Sequence, residues 1–345
     1  MNRLQYLIRR LLLIVPTFFG ITVVCFLLTR ILPGGPVDQM IIQMRGGGGG
    51  GEVGGGANAA LISEDIRKDL NEQFGFDKPI LVQYYNWAVK DCLGMRMRSY
   101  QYKDRTAWER IRQRLPVSLW FGIISFLASY LVCIPLGIAK ALRHGTPFDF
   151  LSSVIVFSAY AIPSFAVGMI LKMCFCGTVD TLWNIFPIGG FQSDAALAAG
   201  GWTLFWDRAY HMVLPIIAYI MTSFALLTIM MKNSLMEQMS ADYVRTVLAK
   251  GARRSRAIWC HALRNALIPI ATGFGGILGV LFAGSMIIEN LFEIPGMGKL
   301  SLDALLSRDY AVFMAMLALT ASIQLLGNLI SDFCYMLIDP RIHFD

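Results

Sequence analysis

The sequence predicts an all-α membrane protein with six transmembrane helices. Of its 345 residues, 56% are hydrophobic and only 15% are charged, and the mean hydropathy is +0.56, which is unlike an ordinary soluble domain. The apolar residues are also grouped into segments near the roughly 20 residues that cross about 30 Å of hydrocarbon as a helix. These nearly charge-free segments are Leu11–Thr29, Leu115–Ala139, Phe150–Leu171, Ala209–Met231, Asn265–Ile288 and Tyr310–Ser331.

The distribution of cations predicts the orientation of these helices. The first segment follows "MNRLQYLIRR" without a small-residue cleavage site, so we interpret it as a retained helix and not as a signal peptide. With a cytoplasmic N-terminus, most Lys and Arg residues of the short connecting segments fall inside, as the positive-inside rule requires. The inside residues are Arg3, Arg9, Arg10, Lys140, Arg143, Lys232, Arg245, Lys250, Arg253, Arg254, Arg256, Arg264 and Arg341, and the outside ones are Arg208, Lys299 and Arg308.

The predicted spans divide the chain into four parts. They are a cytoplasmic tip with the first helix (1–32), an outer region (33–114), a core of five helices that contains the inner loop 232–264 (115–336), and a cytoplasmic tail (337–345). In the outer region, the glycine-rich run "RGGGGGGEVGGGANAA" has no side chains to bury and predicts a flexible loop. Ser63 then offers a helix N-cap, and Ile66, Leu70 and Phe74 follow at helical spacing, which predicts a small helical outer region.

The chain contains no recognisable arrangement of residues for catalysis or metal binding. Its four histidines lie in different loops, and Cys174 and Cys176 would lie about 200° apart on a helix, which suits packing better than metal ligation. The glycine-rich run lacks the Gly-Lys-Ser/Thr ending of a phosphate-binding loop. The net charge of +7 is explained by the inner loops and does not predict a nucleic-acid partner. We therefore expect neither enzyme activity nor a metal or cofactor bound by this chain.

An ion-coupled secondary transporter is the alternative that the spans leave open. Such carriers place ionisable residues within their spans and are built from inverted repeats of broken helices. In this chain Lys172 and Asp332 lie toward the ends of spans, where snorkelling or capping accounts for them. The energy for transport is therefore expected to come from a partner.

The stretch "LAKGARRSRAIWCHALRNALIPI", residues 248–270, is a basic hinge at the entrance to the fifth span. We predict that the preceding helix breaks at Gly251, because glycine readily takes the left-handed conformation that ends helices. A second helix is expected from about Ser255. By charge alone, the stretch could simply hold the inner loop at the membrane surface.

The pattern around this hinge resembles a known family. "ADYVRTVLAKGARRSRAIWCHALRNALIPI" resembles the cytoplasmic coupling loop of ABC-importer permeases of the dipeptide and oligopeptide class. "YLIRRLLLIVPTFFGITVVCFLL", "FGFDKPILVQYYNW", "RLPVSLWFG", "IENLFEIPGMGKLSLDALLSRDYAV" and "DPRIHF" are similar to further segments of that family, so the resemblance covers nearly the whole chain. "LPGGPVDQ" and "DPRIHFD" resemble the B-type permeases of microcin C-type peptide importers. Val247, where alanine is commoner, and the glycine-rich insert depart from the family pattern.

The resemblance implies a type I ABC importer permease fold, in a bacterial inner membrane with both termini cytoplasmic. The expected partners are a second homologous permease, two ATP-binding subunits or one fused double ATPase, a periplasmic or extracellular peptide-binding protein, a peptide substrate and membrane lipid. ATP and Mg would be bound by the ATPase, and the chain itself would only transport.

The resemblance also implies that the hinge docks into a cleft of the ATPase. The expected coupling residues are Asp242, Tyr243, Arg245, Ala249, Lys250, Gly251, Ile258, His261, Arg264, Asn265 and Pro269. In that arrangement Tyr243, Leu248, Ile258 and Trp259 would provide apolar contacts, and the arginines would surround them.

The cation distribution makes the topology testable with single cysteines. After replacement of background thiols such as Cys92 and Cys260, we expect cysteines at Gly251 and Asp345 to react only with a reagent supplied from the cytoplasm. A cysteine at Gly49 should react only from outside. Labelling of position 49 from the cytoplasm would contradict the orientation.

Overall fold

The computed structural model describes residues 3–31, 68, 77–93, 106–177, 183–272, 285–307 and 309–338. Within these ranges the regular secondary structure is helical, and β-bridges occur only at isolated residues such as the pair Cys176 and Asn184, which confirms the all-α prediction. The α-helices are α1 (Arg3–Ile31), α2 (Ile80–Tyr85), α3 (Ala107–Leu142), α4 (Pro147–Ala161), α5 (Ser164–Phe175), α6 (Asp194–Ala199), α7 (Gly201–Ser240), α8 (Asp242–Ala249), α9 (Arg254–Arg256), α10 (Leu263–Ala266), α11 (Ile268–Thr272), α12 (Met286–Leu291), α13 (Met297–Leu306) and α14 (Tyr310–Ile338). Two π-helices cover Asn86–Leu93 and Ala257–Ala262.

Apolar helices long enough to cross a membrane lie where the sequence predicts spans. Among the described residues, the single helices that qualify are Ile8–Leu27 within α1, Ala107–Leu142, and Ala311–Asp332 within α14. The α4–α5 pair and the two halves of α7 would each count as one bent span, which would make five. Half of the remaining predicted span, Asn265–Ile288, lies outside the described residues, as do the glycine-rich run and most of the outer helix after Ser63. The number of six spans therefore stays a prediction.

The third predicted span is not one straight helix, because the chain breaks at a proline. The axes of α4 and α5 meet at 96°. Between them Ile162 is extended, with φ −92° and ψ 123°, and Pro163 follows. Proline lacks a backbone N–H and disfavours a helical conformation in the residue before it, so α4 ends there and α5 begins at Ser164. The fourth predicted span also bends, by 55° between Gly201–Met221 and Ser223–Ser240.

The chain divides into two compact units. One consists of Met1–Leu11, Arg114–Lys299 and Ile323–Asp345, and the other of Leu12–Gln113 and Leu300–Ser322.

In the second unit, aromatic packing joins α1 to the helical segment that begins with α2. The ring of Phe26 lies 5.5 Å from that of Tyr84 and 5.7 Å from that of Trp87, centroid to centroid. The hydroxyl groups of Thr22 and Tyr84 are hydrogen-bonded at 2.9 Å. A contiguous aromatic contact of this kind buries a large apolar area, so it holds the segment against α1.

In the first unit, an ion pair joins the two ends of the chain. Arg10 Nε in α1 lies 3.1 Å from Asp332 Oδ2 in α14. The first turns of α1 and the last turns of α14 therefore lie side by side.

Within the first unit, a buried carboxylate of α12 connects residues of α3 and α13. Glu289 of α12 has no exposed surface. It accepts a hydrogen bond from the Ser118 hydroxyl of α3 at 3.2 Å and one from the Lys299 amide of α13 at 3.0 Å. The Ser118 oxygen in turn accepts the Met297 amide at 2.6 Å. These bonds satisfy a polar group that would otherwise be costly to bury.

Helices α3 and α7 approach each other closely at Gly137. A Cβ on this residue would stand 2.6 Å from Met231 Cβ and 2.8 Å from the carbonyl oxygen of Thr228. Met231 is fully buried, so its side chain has no open space into which it could move. The absence of a side chain at Gly137 therefore sets the separation of the two helices.

We expect Gly137→Ala to push these helices apart and to lower the free energy of unfolding by about 1–3 kcal/mol, as overpacking does. Gly20→Ala is the matched control, because it also lies inside a long helix but a Cβ there would meet no described atom within 4 Å. Alanine is the better helix former by about 1 kcal/mol, so Gly20→Ala should be neutral or stabilising. Thermal unfolding of the purified variants measures both effects, and equal melting temperatures would contradict the close approach.

Candidate functional site

The predicted hinge consists of two short helical stretches joined by a tight turn. After α7 ends at Ser240, α8 covers Asp242–Ala249, and a second helix runs through α9 and the π-helix to the end of α10 at Ala266. We call α8 and this second helix (residues 254–266) the hinge helices. The short helix α11 then contains Pro269 and lies within the first part of the fifth predicted span, Asn265–Ile288.

Gly251 ends α8 in the way the sequence predicts. Its φ is 85°, in the left-handed region. The Gly251 amide donates to the Leu248 carbonyl at 2.9 Å, and the Ala252 amide donates to the Val247 carbonyl at 3.3 Å. This pair of hydrogen bonds is the Schellman motif, which satisfies carbonyls that the helix end leaves free. A Cβ on Gly251 would meet no described atom within 4 Å, so the backbone conformation and not the available space selects glycine.

The second hinge helix begins one residue earlier than predicted. Arg253 is extended, with φ −63° and ψ 141°, and the helix starts at Arg254 instead of Ser255. Its central part, Ala257–Ala262, is a π-helix. Such segments are rare and often occur at functional sites, because the wider turn changes which side chains share a face.

One face of the hinge helices is buried against α7. Val244, Ala257, Ala262 and Ala266 form a core with Met231, Leu235 and Ala141. A buried hydrogen bond adds to this packing, because the Ser234 hydroxyl of α7 donates to the Ala266 carbonyl at 2.9 Å. The hinge helices are therefore fixed to the long helix that precedes them.

Ile258 lies in this core and not on the surface. Only 8% of it is exposed. The expectation that Ile258 offers an apolar contact to a partner is therefore corrected: its side chain packs inside the chain. The cause is the helical phase, which places Ile258 on the same side as Ala262 and Ala266.

The opposite face of the hinge helices combines aromatic, apolar and basic side chains. Trp259 is 53% exposed, and Tyr243 and Leu248 are also exposed. The Tyr243 hydroxyl donates to Gln238 Oε1 at 2.8 Å, which orients the ring at the junction with α7. The exposed basic residues are Arg245, Lys250, Arg253, Arg254, Arg256 and Arg264. Exposed aromatic and arginine side chains are enriched in protein contact surfaces.

The predicted coupling residues lie mostly on this exposed surface. Asn265 is half-buried, and the exposed ones are Asp242, Tyr243, Arg245, Ala249, Lys250, Gly251, His261, Arg264 and Pro269. Asp242 and Arg245 face each other across 3.5 Å, but both are largely exposed, so this ion pair stabilises little.

A buried ionic cluster near the hinge helices was not found from the sequence. Asp149, in the first turn of α4, lies between Lys140 of α3 and Lys232 of α7. Lys232 Nζ is 2.7 Å and 2.8 Å from the two carboxylate oxygens, and Lys140 Nζ is 3.2 Å from Oδ1. His144 Nδ1 lies 3.1 Å from Oδ2. The sequence offers one signal, an acidic residue among the cations of a predicted inner turn, but the positive-inside rule explains both lysines without it.

Comparison with known proteins identifies the class to which this arrangement belongs. The model of the family "binding-protein-dependent transport system inner membrane component" matches residues 133–344, which include α7, both hinge helices and the ionic cluster. The chain belongs to this family and is thus a multi-pass membrane component of a transport system. The resemblance inferred from the hinge is confirmed.

Particular relatives are similar over nearly their whole length. The chain is 34% identical over 362 residues to the inner membrane ABC transporter permease protein YejB of Escherichia coli O157:H7, covering 99% of each chain. It is 34% identical over 358 residues to the dipeptide transport system permease protein DppB of Escherichia coli K12, covering 98% of each. It is 32% identical over 339 residues to the oligopeptide transport system permease protein AppB of Bacillus subtilis 168, covering 98% of this chain and 99% of the relative.

The turn at Gly251 can be tested by two substitutions that differ in their tolerance of positive φ. We expect Gly251→Val to strain the turn by about 1–3 kcal/mol, because a β-branched residue disfavours this conformation. Gly251→Asn is the control, since asparagine also occurs at this helix position. Amide hydrogen exchange of residues 242–252 should accelerate about tenfold or more in the valine variant and change little in the asparagine variant. Equal exchange in both variants would contradict the requirement for a left-handed residue.

Proposed function

We propose that this chain is a permease subunit of an ATP-driven ABC importer of peptides, and that the hinge helices couple it to the ATPase. The observation that carries the proposal is the two-sided construction of these helices. One face is buried against α7, and the other presents Trp259, Tyr243 and Leu248 among basic side chains. A surface attached rigidly to a long apolar helix suits the transmission of a partner's movement.

The proposed mechanism follows from that attachment. Closure of the ATPase subunits on ATP would displace the hinge helices sideways, and the buried contacts would carry the displacement into α7. Because packed helices shift between discrete arrangements and do not deform continuously, such a displacement can switch the pathway between inward-open and outward-open states. ATP and Mg would be bound by the ATPase, which would perform the hydrolysis.

The proposed topology has six spans with both termini in the cytoplasm. The ion pair between Arg10 and Asp332 supports an even number of crossings, because it brings the start of α1 next to the end of α14. The bent spans, the single spans and the predicted Asn265–Ile288 span together make six. The excess of Lys and Arg in the short loops on the same side as the hinge supports a cytoplasmic hinge.

The proposed assembly and cargo follow from the family and the relatives. The family description names a dependence on a binding protein, so we include an external peptide-binding protein, together with a second homologous permease and two ATP-binding subunits or one fused double ATPase. The names of the relatives refer to dipeptide and oligopeptide transport, which supports a peptide as the cargo. Within this class we propose peptides of the microcin C type as candidates.

The docking role can be tested with two exposed tryptophans. Trp259→Ala removes an exposed ring of the hinge helices, whereas Trp202→Ala removes a ring that is 73% exposed at the start of α7. An aromatic residue at the centre of an interface contributes about 2 kcal/mol or more. We therefore expect Trp259→Ala to reduce the amount of ATPase that co-purifies with the chain by about tenfold or more.

The control variant Trp202→Ala should retain normal ATPase recruitment, because it lies away from the hinge helices. Mass spectrometry of the purified complex should identify a second permease, the ATPase and a retained peptide. Normal recruitment by Trp259→Ala, or equal losses in both variants, would contradict docking at the hinge. A complex that transports on an ion gradient without ATP would contradict the proposed energy source.

A further inference from the structure

The two lysines of the ionic cluster share the Asp149 carboxylate but differ in their other partners. Lys140 is almost fully buried. Its ammonium group donates to three oxygens in the first turns of α4, namely the Asp149 carbonyl at 3.0 Å and the hydroxyls of Ser152 and Ser153 at 2.8 Å each. An ammonium group has three N–H donors, so these oxygens can accept all of them. Lys140 therefore holds the turn between α3 and α4 together without depending on α7.

The contact between Asp149 and Lys232, in contrast, joins the turn to α7. Both carboxylate oxygens accept hydrogen bonds from Lys232 Nζ, at 2.7 Å and 2.8 Å. The carboxylate also accepts the Gly145 amide at 3.3 Å, which fixes its position within the turn. Charge-assisted hydrogen bonds are shorter and stronger than neutral ones and define the geometry of the groups they join.

Lys232 lies on the same turn of α7 as the residues that hold the hinge helices. Its neighbour Met231 and the nearby Leu235 belong to the core that contains Val244 and Ala262, and Ser234 bonds to Ala266. The neighbour of Lys140, Ala141, belongs to the same core. A displacement of the hinge helices thus acts on α7 at the level where Asp149 is attached.

We propose that Lys232 and Asp149 are positioning residues that transmit movement of the hinge helices through α7 to the α3–α4 turn. This inference rests on the proposed docking of an ATPase at the hinge. Apolar packing is non-directional and is compatible with more than one discrete arrangement of two helices, whereas a two-bond ionic contact also fixes the distance and direction between the groups it joins. Through the contact between Lys232 and Asp149, the α3–α4 turn and the bent α4–α5 pair would move with α7 when the hinge helices move.

The cluster contains two lysines and only one aspartate, so substitutions of its members are expected to have different consequences. Lys232→Met removes the link to α7 but leaves Asp149 paired with Lys140, so the turn stays neutralised. Asp149→Asn leaves two buried ammonium groups without a carboxylate, which is strongly destabilising. The double variant Asp149→Asn/Lys232→Met removes one of these cations. It should therefore accumulate to higher levels than Asp149→Asn, although it still lacks the ionic contact between the α3–α4 turn and α7.

The test uses the complete transporter in nanodiscs with its binding protein, supplied with tri-alanine. The readout is the ratio of ATP hydrolysis with loaded binding protein to hydrolysis without it, measured beside the amount of ATPase retained. We expect Lys232→Met to retain normal ATPase levels while this ratio falls at least fivefold. Lys232→Arg keeps a cation at the site and should stay within twofold of the unmodified protein. Lys172→Met is the matched control, because Lys172 Nζ also bridges two elements, at 2.9 Å to the Leu291 carbonyl, but lies away from the hinge.

Three results would overturn the inference. The first is an unchanged ratio of ATP hydrolysis with and without loaded binding protein in Lys232→Met. The second is a fall in this ratio that is fully explained by a smaller amount of retained ATPase. The third is an equal fall in Lys172→Met. Failure of the proposed docking is distinguishable, because it appears as normal ATPase recruitment by Trp259→Ala, whatever the behaviour of the Lys232 variants.

Discussion

Small side chains on one face of the second hinge helix determine how the region around it is built. Ala257, Ala262 and Ala266 are fully buried in a core with Met231 and Leu235 of α7. Because a methyl group projects so little, the two helices can lie close together at these three positions. Trp259 and the arginines lie on the surface that this packing leaves exposed.

The π-helix helps to keep this buried face continuous. Buried positions recur every fourth residue, at Ile258, Ala262, Ala266 and Ile270. In a regular α-helix, with 3.6 residues per turn, such a series would drift around the axis. The wider turn over Ala257–Ala262 reduces the drift, so the series stays on the side of α7. Ile258 belongs to this buried series, which is why it does not lie on the surface as the family resemblance implies.

Features that depend on a few neighbouring residues could be predicted from the sequence. The break at Gly251 followed from the conformational freedom of glycine, and the helical character of the spans followed from their length and hydropathy. The bend at Pro163 was within reach of the same rules, although its angle of 96° was not. The Asp149 cluster was out of reach, because Asp149 and Lys232 are separated by 83 residues and only the packing of α4 on α7 brings them together. Several predicted features, including the glycine-rich run and half of the fifth predicted span, lie outside the described residues.

If the hinge helices move as proposed, the ionic cluster has a role that stability alone does not require. Replacing buried ion pairs by apolar residues is often neutral or stabilising, so stability alone does not explain Lys140, Asp149 and Lys232. An apolar contact of equal volume would tolerate several registers between α7 and the α3–α4 turn. An ionic contact tolerates few, because a shift that separates Lys232 from Asp149 takes the Lys232 ammonium group away from its carboxylate, while Asp149 keeps Lys140 at 3.2 Å. The charges therefore restrict the relative positions of these elements to those in which both oxygens of Asp149 remain bonded, and a restricted set of positions is what faithful transmission of movement requires.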